Sequence, residues 1–384
     1  MALRHVRKRT WVIGVCIALV VGLGTTALVR HYLAGLRAET AYRNALANNP
    51  AWAPQGELVG DADFVTGALR NVDNVQSILF AGSAYGPGGA AATPTIVLLT
   101  SEEKYAPWAN KVLTMWKVGR SWQVNESGLW SSRNPVMTLP VRPANLQHPQ
   151  GKRDGTVVMV AKGTPDITVH GIDGSAAQSS AADKLTVTEG LAFIPADAGG
   201  DRAECLVYEV GRQVTSPGME APIETSDATG LTGAVNALHT ARGCARGAGG
   251  STDLAIRADE PMAVQARGRV SMTGGTVDAF SVRRWTFDTS LGTILLAGSD
   301  GVLVGRPVPW AGYAAGSPPL AVTVGAADGR PAFVVVDSGR LESIPKLPQS
   351  SGGDTTVIEG APPVALVTLD DSGLPTTTSV VPRG

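Results

Sequence analysis

Four histidines lie beyond residue 30, His31, His148, His170 and His239, and no two have the spacing of zinc ligands on one helix or hairpin. His170, Asp173 and Ser175 crowd together in VHGIDGS, the residue types of a hydrolytic triad. An alternating strand followed by Asp-Gly is ordinary hairpin chemistry, so Asp173-Gly174 reads as a turn rather than a catalytic pair. The strained G-x-S-x-G elbow is absent, since Gly82-Ser83-Ala84-Tyr85-Gly86 has the wrong spacing. No phosphate-binding G-x-x-x-x-G-K-[ST] loop and no G-x-G-x-x-G fingerprint occurs. The carboxylate pairs Glu102-Glu103 and Asp370-Asp371 are adjacent residues whose side chains diverge. The expectation is no catalytic residue, no cofactor and no metal.

The densest chemical signal is aromatic. Trp108, Trp116, Trp122 and Trp130 fall within 23 residues, among Lys104, Lys111, Lys117, Arg120 and Arg133. If exposed, Trp108, Trp116 and Trp130 form a face that stacks on a glycan or anchors a protein partner. The competing reading is core packing. With Gly119-Arg120 as a two-residue hairpin turn, Leu113, Met115, Trp122 and Val124 share one face of the hairpin and Trp116 points to the other.

Three cysteines occur, and Cys16 lies in an apolar run, leaving Cys205 and Cys244 as a candidate disulfide pair. Bridged, they would close a loop of about 40 residues and stabilise the fold by roughly 4 kcal/mol on the chain-entropy model. Two separate buried thiols are the alternative, because bridging geometry is a tertiary property.

These residues are positioned by elements whose location the N-terminus decides. Residues 11–29, WVIGVCIALVVGLGTTALV, carry no charge, and as a helix they would span about 28 Å, close to the hydrocarbon thickness of a bilayer. Arg4, Arg7, Lys8 and Arg9 precede the run, which favours a cytoplasmic N-terminus and a body outside the cytoplasm. A cleaved secretory signal is the competing reading and exports the body as well. Without those four bases the chain holds 28 bases against 33 acids and no basic cluster, which argues against nucleic-acid binding.

The expected order is a basic cytoplasmic tip over 1–10, a transmembrane helix over 11–29 and a juxtamembrane helix over 30–50. An α+β module over 51–150 follows, with a short helix over 61–72 and β runs after it. Strand signals recurring about every ten residues give a central immunoglobulin-like β-sandwich over 151–216. A linker with a short helix covers 217–250, and a β-rich C-terminal module covers 251–384. Ile78-Leu79-Phe80-Ala81-Gly82-Ser83 and Ile294-Leu295-Leu296-Ala297-Gly298-Ser299 differ at one position in six, which suggests that the 51–150 and 251–384 modules are related. The fold class is mainly β with minor α, built as serial modules.

A short basic N-terminus, one span and an Ala/Gly/Val-rich exported body with 24 arginines to 8 lysines resemble the single-span, exported, β-rich membrane proteins of high-GC actinobacteria. The cadence of TVVMVAKGTPDITVHGIDGS and LVYEVGRQV is similar to their β domains. The resemblance implies a place in the cell envelope and carries over no site residue. The leading expectation is a non-enzymatic, membrane-anchored binding or assembly protein with a protein partner in the envelope. An exported hydrolase with a site assembled from distant residues, around His148 or His170, is the alternative. A ligand sensor acting through a membrane partner is a second alternative.

Overall fold

A computed structural model of the chain describes residues 52–84, 93–100, 110–139, 155–171, 182–195, 205–244, 254–257, 260–273, 275–285, 290–298, 301–310, 321–325, 331–336, 340–347, 349–360, 365–369, 372 and 374–380. The expected tip, span and juxtamembrane helix lie outside these residues. Among the described residues no helix is long and apolar enough to cross a membrane.

Helix α1 (Ala62–Leu69) starts where Asp61 accepts the Phe64 N–H, and it buries Phe64, Val65, Ala68 and Leu69. It lies on a four-stranded antiparallel meander of β1 (Val75–Ala84), β2 (Thr93–Thr100), β3 (Asn110–Val118) and β4 (Ser121–Trp130), in that order. A register shift between Ile78 and Phe80 lets Leu79 and Phe80 share a face. Ile78, Ala81, Ile96, Leu98 and Met115 face the helix, while Leu79, Phe80, Val97, Leu99 and Val112 face the other way. The strands read as near-continuous apolar runs because both faces of this sheet are covered.

The second cover is the sheet β5-β6-β9, formed by β5 (Val136–Leu139), β6 (Gly155–Val160) and β9 (Leu191–Pro195). Met137, Leu139, Val157, Met159 and Leu191 meet the meander. Val136, Val158, Val160, Ala192 and Ile194 meet a further sheet. That sheet runs β8-β7-β10-β11-β12, from β7 (Asp166–His170), β8 (Asp183–Thr186), β10 (Val207–Val210), β11 (Gln213–Thr215) and β12 (Ile223–Glu224). With β5, β6 and β9 facing β7, β10 and β11, the two antiparallel sheets pack face to face as a sandwich.

The whole plan then repeats. Helix α2 (Ala228–Ala241) is capped by Asp227 through the Gly230 N–H. It covers a meander of β13 (Met262–Met272), β14 (Gly275–Trp285), β15 (Ser290–Gly298) and β16 (Gly301–Val304), with β17 (Val308–Pro309) also on β15. Ile294, Leu296 and Val270 on the far face pack on Val322, Val334 and Val357 of the next sheet. That sheet is β18-β19-β22-β21, from β18 (Ala321–Gly325), β19 (Pro331–Val336), β21 (Gln349–Gly352) and β22 (Thr355–Glu359). Across Phe333, Val335, Leu341, Ile358 and Leu366 lies the last sheet, β20-β23-β24, from β20 (Arg340–Ile344), β23 (Ala365–Leu369) and β24 (Pro375–Val380). Each unit is therefore a helix, a meander and a two-sheet sandwich. In each, the segment before the helix also bridges in parallel to the first strand, Gln55 to Phe80 and Met219 to Met262.

Three expectations change. The sandwich begins at β5, upstream of the expected boundary at 151, because Val136–Leu139 pairs with β6. The short helix expected within the 217–250 linker is α2, and it is part of the core rather than of a connector, since Ala234, Ala237, Leu238 and Ala241 are inaccessible to solvent. Ile78 and Ile294 are not equivalent: Ile78 is on the first strand of its meander facing the helix, and Ile294 is on the third strand facing the sandwich. The relationship between the units shows instead at the helix caps. Asp61-Ala62, then Thr66-Gly67-Ala68, matches Asp227-Ala228, then Thr232-Gly233-Ala234, at the same spacing.

Candidate functional site

The two units meet through α2. Val207, Val214 and Ile223, on the outer face of the first sandwich, join Val235, Leu238 and the meander residues Val264 and Phe280 in one core. From Gly233 to Ala241 the helix is buried nearly all round because it has a sheet on either side. The bond between the Cys205 and Cys244 sulfurs, with Cα atoms 5.6 Å apart, ties the approach to β10 to the end of α2. It therefore spans the junction.

Polar groups close the remaining gaps. Arg242 is 5% exposed and donates to the carbonyls of Pro217, Ile256 and Arg257. Its charge is held by carbonyl dipoles where the chain turns from one unit to the next. Asn134 donates to Ser216 O at 3.2 Å and Met219 O at 3.3 Å, and accepts from Thr215 Oγ1 at 2.9 Å. His170 Nε2 lies 3.0 Å from Glu209 Oε2. His239 Nε2 donates to the His170 carbonyl at 3.2 Å. Burial pushes the His239 pKa down to about 4, so the ring is neutral at pH 7. At the surface, Arg269 binds Asp278 at 2.7 Å and Asp227 at 3.0 Å, joining the α2 cap to β13 and β14.

The sequence-derived candidates come out differently. Trp116 is 2% exposed and offers no ring to a ligand. It lies opposite Thr95 and Gln123 on the face of β3 that alternation assigns to Val112 and Thr114. The hairpin turn is at Gly119-Arg120, since Val118 pairs with Ser121, and Gly119 takes the left-handed φ of +63° that this turn asks for. Trp122 packs on Phe64 with ring centroids 5.1 Å apart. Trp130 lies on β4 opposite Asn110. Trp108, His148, Asp173 and Ser175 lie outside the described residues. Of the three tryptophans expected to form a binding face, Trp116 alone has a described side chain, and it is buried.

Two clusters carry chemistry that sequence reasoning missed. The Arg283 guanidinium lies 4.5 Å from the Trp285 ring centroid and 5.6 Å from that of Trp310, a cation–π stack. The R-R-W run at 283–285 was its local signal, but Trp310 arrives from beyond β16. Glu57 and Glu189 also approach each other. Burial raises the Glu57 pKa, but hydrogen bonds from Ser83 outweigh this and hold it below the usual carboxylate range. Its hydrogen bond and its charge raise that of Glu189. This pair is exposed, and Ser83, which hydrogen-bonds Glu57, lies beside it. Among the described residues no group of three or more His, Cys, Asp or Glu could hold a metal ion. Compared with family models, curated proteins and solved structures, the chain matches none.

Proposed function

We propose that this chain is a non-enzymatic, membrane-anchored protein of the bacterial cell envelope whose two-unit, immunoglobulin-like body lies outside the cytoplasm and binds or assembles other envelope components. The observation that carries the reading is the Cys205–Cys244 bond across the unit junction. Such bonds persist in oxidising compartments, as expected for a body exported behind an apolar N-terminal segment. A stapled stack of helices and sheets makes a stiff spacer that presents surfaces at a set distance. The ordered titratable groups His170, His239, Glu209 and Arg242 are engaged in holding that stack together.

In-cell crosslinking of the tagged full-length protein, followed by purification from native membranes, tests this. The expected result is a reproducible envelope partner. Recovery of nothing specific, together with turnover of an ester, peptide or glycan by the full-length protein, would overturn it.

A further inference from the structure

We infer that the junction between the two units is an acid-operated hinge: protonation of the buried His239 ring releases α2 from the first sandwich, while the Cys205–Cys244 bond keeps the units joined. The inference concerns the junction itself and holds whatever the body binds.

The contacts of α2 with its two neighbours differ in what acid does to them. On the meander side Asn236 Nδ2, an amide that does not titrate, donates to Gly298 O at 3.4 Å. On the sandwich side His239 Nε2 donates to the His170 carbonyl at 3.2 Å, from a ring that is 4% exposed. A neutral imidazole fills that place with one N–H. A second proton puts a full charge between α2 and the sheet, where water is excluded. Burial outweighs the pull of the His170 and Cys205 carbonyls and lowers the ring's pKa from 6.5 to about 4. The proton therefore binds first to the open junction, in which the ring is in water.

The elements packed on α2 supply no free counter-charge. β7 presents His170, whose own charge opposes that of His239. β10 presents Glu209, held by His170 Nε2 at 3.0 Å. β11, β15 and β16 carry no titratable side chain. On β14, Asp278 meets Gly233 toward the other end of α2, Arg283 stacks on Trp285, and Arg284 lies with Leu254 and Ile256. On β13, Arg267 and Arg269 pair with Asp354 and with Asp227 and Asp278. On α2 itself, Arg242 is directed at the carbonyls of Pro217, Ile256 and Arg257. The disulfide joins the end of α2 to the approach to β10, so a released helix stays within reach and the junction recloses when the proton leaves.

Hydrogen exchange of the full-length protein at pH 7 and pH 5, read by mass spectrometry and corrected for the intrinsic effect of pH, tests this. A 14-residue helix held on one side only is marginal, so the α2 amides report the release. With the ring's pKa at 6.5 when open and about 4 when closed, the open fraction rises about twentyfold from pH 7 to pH 5. The α2 amides are expected to exchange faster by that factor and to regain protection on return to pH 7. Those of α1, whose core holds no histidine, are expected to stay unchanged. His239→Gln keeps a donor for the His170 carbonyl and takes up no proton, so it should abolish the acceleration. Equal acceleration in α1 and α2, acceleration in neither, protection that pH 7 does not restore, or acceleration that persists in His239→Gln overturns the inference. If that variant does not fold, the contrast between α1 and α2 in the natural protein decides.

Discussion

Asp61 and Asp227 occupy the same place in two copies of one plan: each is the N-cap of the helix that opens its unit, accepting the N–H of Phe64 at 2.9 Å and of Gly230 at 2.7 Å. Between them lie one meander and one sandwich, and after Asp227 the same layers come again. The stack is continuous because α2 serves two neighbours, the sandwich behind it and the meander ahead. Each unit thus depends on the next for burial, as in solenoid proteins.

The disulfide is expected to matter to the junction. Replacing both Cys205 and Cys244 by serine opens a loop with a sequence separation of 39, and the loss is about 4 kcal/mol if chain entropy dominates. Urea unfolding with and without reductant reads it. The serine pair should match the reduced protein, and a variant as stable as the oxidised protein would rule this out.

Trp116 is a core residue, so Trp116→Ala is expected to destabilise by about 3–5 kcal/mol. Denaturant midpoints decide between this and a binding role. A variant with unchanged stability and lost ligand or partner binding would restore the exposed-face reading.

His239 makes stability pH-dependent. Its pKa is lowered to about 4 in the fold from an unfolded value of 6.5. The unfolded chain therefore binds the proton first as pH falls. Stability is full above about 6.5 and declines toward pH 4, by roughly 3 kcal/mol in all. The ring faces the His170 carbonyl, with Glu209 one step further on the same sheet. Melting temperatures at pH 7 and pH 5 should differ for the natural protein and much less for His239→Gln; equal shifts in both would refute the assignment.

Tyr208 is fully buried between the sheets of the first sandwich, and its hydroxyl has no hydrogen-bond partner among the described residues. Burial moves its pKa upward. Removing an unpaired polar atom from a core is stabilising by up to about 1–3 kcal/mol, so Tyr208→Phe should raise the denaturation midpoint. A lower midpoint would mean that the hydroxyl has a partner.

Gly268 sits at the bulge of β13 with φ +148°, and a β-carbon there would run into the Gly352 carbonyl of β21. Gly268→Ala is expected to cost about 1–3 kcal/mol by overpacking, read by thermal melting. Gly119→Ala, at a turn with open space around it, separates contact from backbone strain. Equal losses in the two would assign the Gly268 effect to φ alone.

Much of the local structure was legible from residue types. The Gly119-Arg120 turn, the capped helix after Asp61 and the runs that became β1 to β4, β6, β7, β9 and β10 follow from turn chemistry, capping and strand propensity, which act over a few residues. So does the availability of Cys205 and Cys244 as a pair. The pairing of layers was not legible. Runs such as TIVLL and GTVVMV signal two buried faces but not what covers them, because sheet-on-sheet packing joins residues far apart in the chain. For the same reason the Ile78 and Ile294 echo misleads. Two strands buried on both faces in a chain rich in Ala, Gly and Leu converge on one composition while holding different positions. Trp116 shows the limit most sharply: spacing placed it on a hairpin face, and only the neighbouring layer decided that this face is interior.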